Sequence, residues 1–537
     1  MRFRLYPTLL SAFILVSSAT VTQADGITGS VIDSSGNLVA CRLYISNTES
    51  GEWFYATSLG GTAVTCEKQS RNPGSFEKHT ALTAHRFKCE LPAGKYTVRA
   101  ERGKQYLPAE TTVEVQQGRD VSVELQLRTF IVMQERGWYS GDGHIHQDIN
   151  DVPTLIQAEN VNVGLPLTYW VRDSSQIPAN DGSIYRPRAS WVDNSHLIYP
   201  VNTEYEIFSI NGKPHTQGAV LVLNHRKPLT KPTPPARPIA EAAREQGALL
   251  DLEKHSWNWS LMIVPVMNVD LFELSNNHHW KTEFGLPQWT LENSPRDWPE
   301  IEINDAGFTE MGWTEFGLQT YYSLVNCGFR LRVTAGTAFG VHPVPLGHSR
   351  VYVHCADRFD FKNWIRNLNA GHSFVTNGPL LDVRFNGALP GAQWNRSTPE
   401  NRLHITGTVA GLNPVKSVQI IRNGEIAAEL DVQSVKQEDG TFRAELDTTV
   451  SVEGTGWVAV RCFEDLPRDK VSFAHTNPVY IDVPNAPLRP RKKRVQFFVQ
   501  RMEEEIQRNT GILPEDAVDE FRYAKKVYED ILATARD

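Results

Sequence analysis

Cysteine, positive charge and long apolar runs are all scarce in this chain of 537 residues. The cysteines are Cys41, Cys66, Cys89, Cys327, Cys355 and Cys462. None of them forms a Cys-x-x-Cys pair, so a zinc site built from thiolates is not expected. Lys and Arg number 54 against 62 Asp and Glu, for a net charge of −8 at pH 7. Because nucleic-acid binding needs clustered cations, we expect no nucleic-acid partner.

The first 24 residues have the pattern of a secretory signal peptide. Arg2 and Arg4 precede an apolar core at 9–16, and residues 22–24 form a small-residue cleavage site. This core is too short to span a bilayer, and no later run is long enough, so we expect no membrane span. We therefore expect an exported protein, periplasmic or extracellular, whose cysteines can pair. Cys66 and Cys89 are the preferred pair because both fall in one small predicted β domain, although six cysteines allow many connectivities.

Hydrophobic periodicity divides the rest of the chain into four parts. Residues 25–130 alternate apolar and polar side chains between turns, which predicts a β-sandwich. The order G-x-V-x-D…L-P-A-G-K-Y-T-V-R-A…V-E-L-x-L in this part resembles the prealbumin-like sandwich of carboxypeptidase-regulatory domains. Residues 131–380 alternate strand-like and helix-like segments, as in a (β/α) barrel. Residues 381–485 predict a second, immunoglobulin-like sandwich. Residues 486–537 predict a hairpin of two amphipathic helices, which packs on the body or joins two copies in a homo-oligomer.

The central part contains six strand-like runs and three helix-like runs. The predicted strands are 161–167, 219–223, 248–252, 270–274, 330–334 and 350–354. The predicted helices are 239–245, 313–326 and 361–369.

The most informative stretch is Gly141-Asp142-Gly143-His144-Ile145-His146. On a strand, residues i and i+2 lie on the same face, so the two imidazoles are side by side. Neutral imidazoles are typical metal ligands, and Asp142 suits a position that orients one of them. The alternative is a surface histidine pair in a glycine-rich turn. Twelve of the sixteen histidines fall between His144 and His372, which favours the metal site.

Four more segments put polar side chains at predicted strand ends, and the whole set resembles a known family. These segments are 204–206, 249–255, 269–277 and 336–343. In order and spacing they resemble the PHP (polymerase and histidinol phosphatase) superfamily, in particular its CehA/McbA-type metallohydrolase branch. The blocks G-H-S-F-V-T-N-G-P-L-L at 371–381 and F-A-H-T-N-P-V-Y at 473–480 are also typical of this branch. The resemblance implies a distorted (β/α)7 barrel that holds divalent metal and performs hydrolysis.

The resemblance also implies roles for individual residues. The implied metal ligands are His144, His146, Glu204, His255 and Glu273, with Glu206 as the rival of Glu204. If the site is catalytic, general metal-site chemistry makes His342 a candidate proton acceptor and Lys254 a candidate for stabilising developing negative charge. His255 is a second candidate for the proton acceptor if it is not a ligand. One or two ions of zinc, manganese or iron would suit these ligands equally well.

Two positions depart from the family pattern. The Asp-His pair expected after the second strand is replaced by Thr168-Tyr169-Trp170, and the Asp of Gly-Ser-Asp is replaced by Ala338. Asp173 and His342 lie close enough in sequence to substitute for the missing ligands.

The sequence therefore predicts an exported metal-dependent hydrolase that cleaves a carbamate, ester, amide or phosphoester bond in a small molecule. The alternative is a catalytically degenerate barrel that binds a ligand or glycan. The missing Asp-His and Asp favour this alternative, whereas the retained His-x-His, Glu and His favour the enzyme. A third reading, an adhesin built on the two sandwiches, leaves the histidine cluster unexplained.

Overall fold

The computed structural model describes residues 26–179, 182–292, 294, 301–356 and 358–537. The predicted signal peptide lies outside the described residues. Strands and α-helices occur together throughout the central part, so the mixed α/β composition is confirmed. Of the helices within these ranges, none combines the length and the apolar character that crossing a membrane requires.

The N-terminal part contains two larger sheets and one two-stranded sheet. Its strands are β1 (Gly26–Ile32), β2 (Cys41–Asn47), β3 (Trp53–Phe54), β4 (Thr57–Leu59), β5 (Ala63–Gln69), β6 (Phe76–Leu82), β7 (Arg86–Glu90), β8 (Gly94–Glu101), β9 (Tyr106–Leu107), β10 (Ala109–Val115), β11 (Val121–Gln126) and β12 (Arg128–Thr129). One sheet has the order β11-β1-β7-β4, and the other has β10-β8-β2-β6-β5 with β3 beside β2. Alternate residues such as Ile27, Leu43 and Val98 form the core between them, as the period-two pattern predicts.

The six cysteines carry free thiols, so the expected Cys66–Cys89 disulfide is wrong. Cys89, on β7, packs into the core between the two N-terminal sheets. Cys66, on β5, packs into a different core that includes Ile145 of the central part. The two thiols belong to separate cores, and sequence proximity could not reveal this.

The central part combines α-helices with strands from two large sheets and one two-stranded sheet. Its elements are a 3₁₀ turn (Met133–Arg136), β13 (Trp138–Ile145), α1 (Val152–Ala158), β14 (Val163–Pro166), β15 (Tyr169–Asp173), β16 (Ser190–Trp191), β17 (Leu197–Ile198), β18 (Thr203–Ile210), β19 (Lys213–Leu223), α2 (Arg237–Gln246), β20 (Leu249–Leu252), α3 (Ser260–Met267), β21 (Leu271–Ser275), α4 (Pro287–Glu292), β22 (Ile303–Asn304), β23 (Gly307–Phe308), α5 (Glu310–Asn326), β24 (Arg332–Ala335), β25 (Arg350–His354), α6 (Phe361–Ala370) and β26 (Ser373–Thr376).

The ends of the two central sheets meet at β13. One sheet has the order β15-β18-β19-β20-β21-β24, and the other carries β14, β13, β25 and β26 as neighbours. His146 donates its backbone N–H to the carbonyl of Phe339 (2.8 Å), which follows β24, and Leu167 donates to Ile145 (2.8 Å). The pairs β18–β19 and β19–β20 are antiparallel, unlike a uniform βα repeat. The (β/α)7 layout therefore stays a prediction, but the side chains of β13, β18, β20 and β21 face one space.

The C-terminal strands continue a central sheet. They are β27 (Leu380–Phe385), β28 (Gln393–Asn395), β29 (Glu400–Gly411), β30 (Val415–Arg422), β31 (Glu425–Leu430), β32 (Val435–Lys436), β33 (Phe442–Glu453), β34 (Gly456–Glu464), β35 (Phe473–Thr476) and β36 (Val479–Asp482). β35 pairs with β26, so one twelve-stranded sheet runs from β16 to β31 through both parts. A four-stranded sheet, β27-β29-β33-β32, faces it across an apolar core.

Two long helices end the chain, α7 (Lys492–Asn509) and α8 (Glu515–Leu532). Their apolar faces, which include Phe498 and Phe521, are buried in the largest core of the protein. The Tyr528 hydroxyl donates to the carbonyl of Leu261 in α3 (2.6 Å). The hairpin therefore packs on the body of its own chain, and a homo-oligomer through these helices stays a prediction.

Candidate metal centre

His144 and His146 end β13 with their rings side by side. The two Nε2 atoms are 3.1 Å apart. Two nitrogens at about 2.0–2.1 Å from one ion would be separated by about 2.9–3.4 Å, depending on the coordination angle. Burial lowers the pKa of His144 well below its usual value and that of His146 to about 4. Both rings are therefore neutral at pH 7 and present nitrogen lone pairs, as metal ligands must.

Glu204, on β18, completes a three-residue group with the histidines. Its Oε2 lies 3.0 Å from His146 Nε2 and its Oε1 lies 3.8 Å from His144 Nε2. The ligand atoms of the three residues lie within 4.8 Å of one another. Both oxygens of Glu204 are buried, and neither accepts a hydrogen bond of acceptable geometry from the described residues. Buried carboxylate oxygens are normally satisfied, so this pair is oriented for a cation.

Two further carboxylates lie at the other nitrogen of His144. Nδ1 is 3.0 Å from Oε2 of Glu253 and 3.1 Å from Oε2 of Glu273. A carboxylate that accepts the Nδ1 proton fixes the ring and directs Nε2 toward a metal. The same atoms form a second possible ligand group, His144–Glu253–Glu273, and Glu204, Glu206 and Glu253 form a third. The predicted ligands His144, His146, Glu204 and Glu273 are thus brought together, and Glu206 lies beside them.

Glu253 is the cluster residue that the sequence reasoning missed. It directly follows β20, and its side chain is fully buried. The available signal was the apolar strand 249–252 followed at once by a carboxylate. His255, two residues later, drew the attention because imidazole is the commoner zinc ligand.

The cluster contains more acidic than basic side chains. Four buried carboxylates, from Glu204, Glu206, Glu253 and Glu273, surround one ammonium group, that of Lys254. Lys254 Nζ is 2.5 Å from Glu253 and 3.4 Å from Glu206. Burial raises the pKa of Glu204 well above its usual value, and it raises those of Glu253 and Glu273 to about 8. A buried divalent cation would supply the positive charge that this site lacks.

The backbone around the histidines is fixed by Asp142 and Gly336. Asp142 accepts hydrogen bonds from the backbone N–H groups of His144 (3.0 Å) and Gly347 (2.9 Å) and from the Thr337 hydroxyl (2.5 Å). Its oxygens therefore hold the loop, whereas the predicted role was to orient an imidazole; Glu273 contacts the His144 ring instead. A Cβ at Gly336 would lie 2.3 Å from the Cβ of His144, so only glycine allows this approach.

His255 and His342 lie outside the ligand groups of the described residues. The His255 ring stacks between Phe272 and Trp313, at centroid distances of 5.5 and 4.7 Å. His342 is half-buried, with its ring 5.4 Å from that of Trp280. Burial, with Lys254, His144 and His146 nearby, lowers the pKa of His342 well below its usual value. His342 therefore lies close to the cluster as a neutral base, whereas His255 is held in an aromatic environment.

The two positions that depart from the family pattern have defined surroundings. Trp170 packs against His146, with ring centroids 4.5 Å apart, and its buried Nε1 has no hydrogen-bond partner among the described residues. Ala338 is buried with a left-handed backbone (φ 49°). Asp173 is bonded to Ser175 (2.6 Å), Ser209 (2.5 Å) and the N–H of Gly212 (2.8 Å). Asp173 thus closes a turn and does not replace the missing ligand.

Comparisons with known proteins add little to this geometry. No protein-family model matches the sequence, and a search of curated proteins gave no match. Among solved structures, the chain is similar to a two-domain protein from Bacteroides vulgatus ATCC 8482 that contains a predicted PHP-like metal-dependent phosphoesterase. The identity is 8%, the alignment covers 64% of this chain and 95% of that chain, and the TM-score is 0.29. A TM-score this low does not define the fold of this chain.

Proposed function

We propose that this protein is an exported metal-dependent hydrolase of the PHP superfamily, of the CehA/McbA type, that acts on a carbamate, ester, amide or phosphoester bond. The observation that carries the proposal is the buried group His144–His146–Glu204, whose ligand atoms converge within 4.8 Å. The orphaned oxygens of Glu204 and the excess of buried carboxylates fit a divalent cation. Zinc, manganese and iron all suit this nitrogen and oxygen donor set.

The cation would lower the pKa of a bound water to about 7 and polarise the scissile bond. His144, His146 and Glu204 would hold it, while Glu273 keeps the His144 ring oriented through a hydrogen bond at Nδ1. His342 is neutral at pH 7 because its pKa is lowered by burial and by Lys254. It accepts the proton from the attacking water. Lys254 keeps its charge next to the carboxylates and stabilises negative charge that develops on the substrate.

The first test is the metal content of the purified protein by inductively coupled plasma mass spectrometry. We expect about one or more ions per chain. We also expect His146→Ala to bind metal at least about tenfold more weakly, because a direct ligand is lost. His404→Ala is the matched control, since His404 is half exposed and pairs with Asp447 in the C-terminal part of the chain. Absence of bound metal after incubation with zinc or manganese would overturn the proposal. Metal-loaded protein is then assayed on esters, amides, carbamates and phosphoesters.

A second candidate is a binding protein for a ligand or glycan. The observation that favours it is Trp170, an aromatic side chain that packs on His146 where the family has an Asp-His pair. Trp170→Ala separates the two candidates. In an enzyme this change alters kcat or KM for a cleaved substrate. In a binding protein this change weakens glycan binding, and neither the wild type nor the variant turns the glycan over.

A further inference from the structure

A separate cavity lies where the N-terminal, central and C-terminal parts meet. Its volume is about 360 Å³, within the range of small-ligand pockets. Lys104 and Tyr106 line it from the N-terminal part, Trp280 from the central part and Ser472 from the C-terminal part. None of the residues of the candidate metal centre lines this cavity. It is therefore a second possible ligand site.

The wall of this cavity carries twice as many cations as carboxylates. The cations are Arg42, Arg99, Lys104, Lys281, Arg350 and Lys470. The carboxylates are Glu101, Glu159 and Glu464. Glu101 alone pairs with Arg42, Arg99 and Lys281. Glu159 also pairs with Arg42, and Glu464 accepts hydrogen bonds from Ser472 (2.5 Å) and Asn413 (3.3 Å), so the three carboxylates already have partners.

Lys104 and Arg350 are the cations without a carboxylate. Among the described residues, no carboxylate oxygen lies within 4.0 Å of either side chain, the distance that defines an ion pair. Lys104 donates to the backbone carbonyl of Asn377. Arg350 is 1% exposed and donates to the carbonyls of Gly347 (2.6 Å) and Glu159 (3.2 Å). Carbonyl groups orient these cations but leave their charge uncompensated.

The electrostatic environment of the cavity agrees with this excess of positive charge. Burial, then the Arg350 guanidinium, lower the pKa of Lys104 to about 7, against the opposing effects of Glu464 and Glu159. Burial also lowers the pKa of His348, and the next contributions come from Lys104, Lys470 and Arg42. Several cations therefore act on the same space, and an anion there would be favoured.

We propose that this cavity binds a tetrahedral oxyanion, phosphate or sulfate, carried free or as a monoester of a small molecule. Lys104 would donate to the oxyanion, and Arg350 would add positive charge in the same cavity. Lysine and arginine are the usual partners of such groups because charge-assisted hydrogen bonds are short and strong. This site is independent of the proposed hydrolase, since it shares no residue with the metal group.

The test is isothermal titration calorimetry on the full chain, both metal-loaded and treated with chelator. The probes are inorganic phosphate, inorganic sulfate, glycerol phosphate and glycerol sulfate, with chloride at matched ionic strength. The variant is Lys104→Gln, and Lys104→Arg retains the charge. Lys95→Gln is the control, because Lys95 is an exposed lysine of the same N-terminal part. Circular dichroism checks that each variant is folded.

We expect at least one oxyanion to bind the wild type and Lys95→Gln equally, and Lys104→Gln at least about tenfold more weakly. Lys104→Arg should retain most of the affinity. Tighter binding of the free ions identifies inorganic phosphate or sulfate as the ligand, and tighter binding of the glycerol esters identifies a monoester. Equal affinities in wild type and Lys104→Gln, or no binding above the chloride control, would overturn the proposal. If Lys104→Gln does not fold, the binding of the oxyanions to the folded wild type is compared with the chloride control, and this comparison decides instead. Chelation separates this site from the metal centre, since only phosphate bound to metal is lost with the metal.

Discussion

Gly336 is the residue on which the position of His144 depends most directly. The two backbones approach so closely that a Cβ at 336 would also lie 2.8 Å from Oε2 of Glu273. We expect Gly336→Ala to lower the free energy of unfolding by about 1–3 kcal/mol through overpacking. It should also weaken metal binding, because His144 and Glu273 must both move away from the added Cβ.

Gly143→Ala is the matched control for this prediction. Its added Cβ would lie 3.5 Å from the nearest atom, the carbonyl oxygen of Ala335, which is ordinary contact. Denaturant unfolding and metal titration measure both variants. Equal behaviour of the two alanine variants would contradict the close packing described here.

Glu273 gives the metal-free protein a defined pH dependence. Burial raises its pKa in the folded state to about 8, above the usual 4.5. The folded state therefore holds this proton more tightly than the unfolded state, and stability is lost as pH rises from about 4.5 to 8. Relative to Glu273→Gln, wild type without metal should lose thermal stability over this range. The comparison isolates Glu273, because the buried histidines, whose pKa values are lowered, are the same in both proteins.

Added zinc or manganese should reverse the loss at pH 8, since the cation compensates the ionised carboxylates. Calorimetric unfolding at pH 5, 6, 7 and 8, with chelator and with metal, measures the effect. A constant difference between wild type and Glu273→Gln across these pH values would contradict the role of burial.

Single residues of the site could be predicted from sequence only in part. His144 and His146 were accessible because strand periodicity alone places them on one face. The proximity of Glu204 and Glu273 follows from pairing between strands distant in sequence, and only a family pattern suggested it. Glu253 and His255 would lie on the same face of a continuous strand, but β20 ends at Leu252. Beyond that residue the alternation of a strand no longer fixes the direction of the side chains. The carboxylate of Glu253 reaches the cluster, and the imidazole of His255 does not.

At the scale of elements, the amino end of α2 is capped by a residue from α8. The backbone N–H groups of Ala236 and Arg237 donate to the carboxylate of Glu520, each at 2.7 Å. The helix has no side-chain cap of its own. We expect Glu520→Ala to lower the free energy of unfolding by about 1–2 kcal/mol, because helix N–H groups lose their partner.

Glu529→Ala is the control for this change, because Glu529 is an exposed acidic residue on the same helix. Hydrogen exchange of the first turn of α2 reports the cap directly. Exchange should be faster in Glu520→Ala than in Glu529→Ala. Unchanged protection in both would mean that the docking of α8 does not stabilise α2.

The regular elements were largely predictable from hydrophobic period. Strand β25 and helix α6 begin where the pattern predicts, and α7 and α8 lie within residues 486–537, where two helices are predicted. The antiparallel run β18–β19–β20 was not predictable as such, because periodicity does not encode the direction of a neighbouring strand. A two-residue turn, Asn211-Gly212, joins β18 to β19, and it was the local signal for this hairpin.

At the scale of the whole molecule, stability does not depend on disulfides. The six cysteines are unpaired and five of them are buried. We expect the unfolding temperature to be the same with and without a thiol reductant. A thiol titration of the unfolded full chain should find six free thiols. A lower count, or destabilisation by reductant, would contradict the separate cores of Cys66 and Cys89.

The twelve-stranded sheet has a consequence for how the chain is made. β26 pairs with β35 through Phe374 and Thr476, about 100 residues apart. At a synthesis rate of about 5–20 residues per second, the second edge of β26 stays open for about 5–20 s before its partner exists. During this interval the nascent chain exposes an apolar β-edge that the finished protein covers, and such edges promote aggregation. We therefore expect the metal-site region to reach its final form only after the C-terminal strands exist, because this contact is non-local.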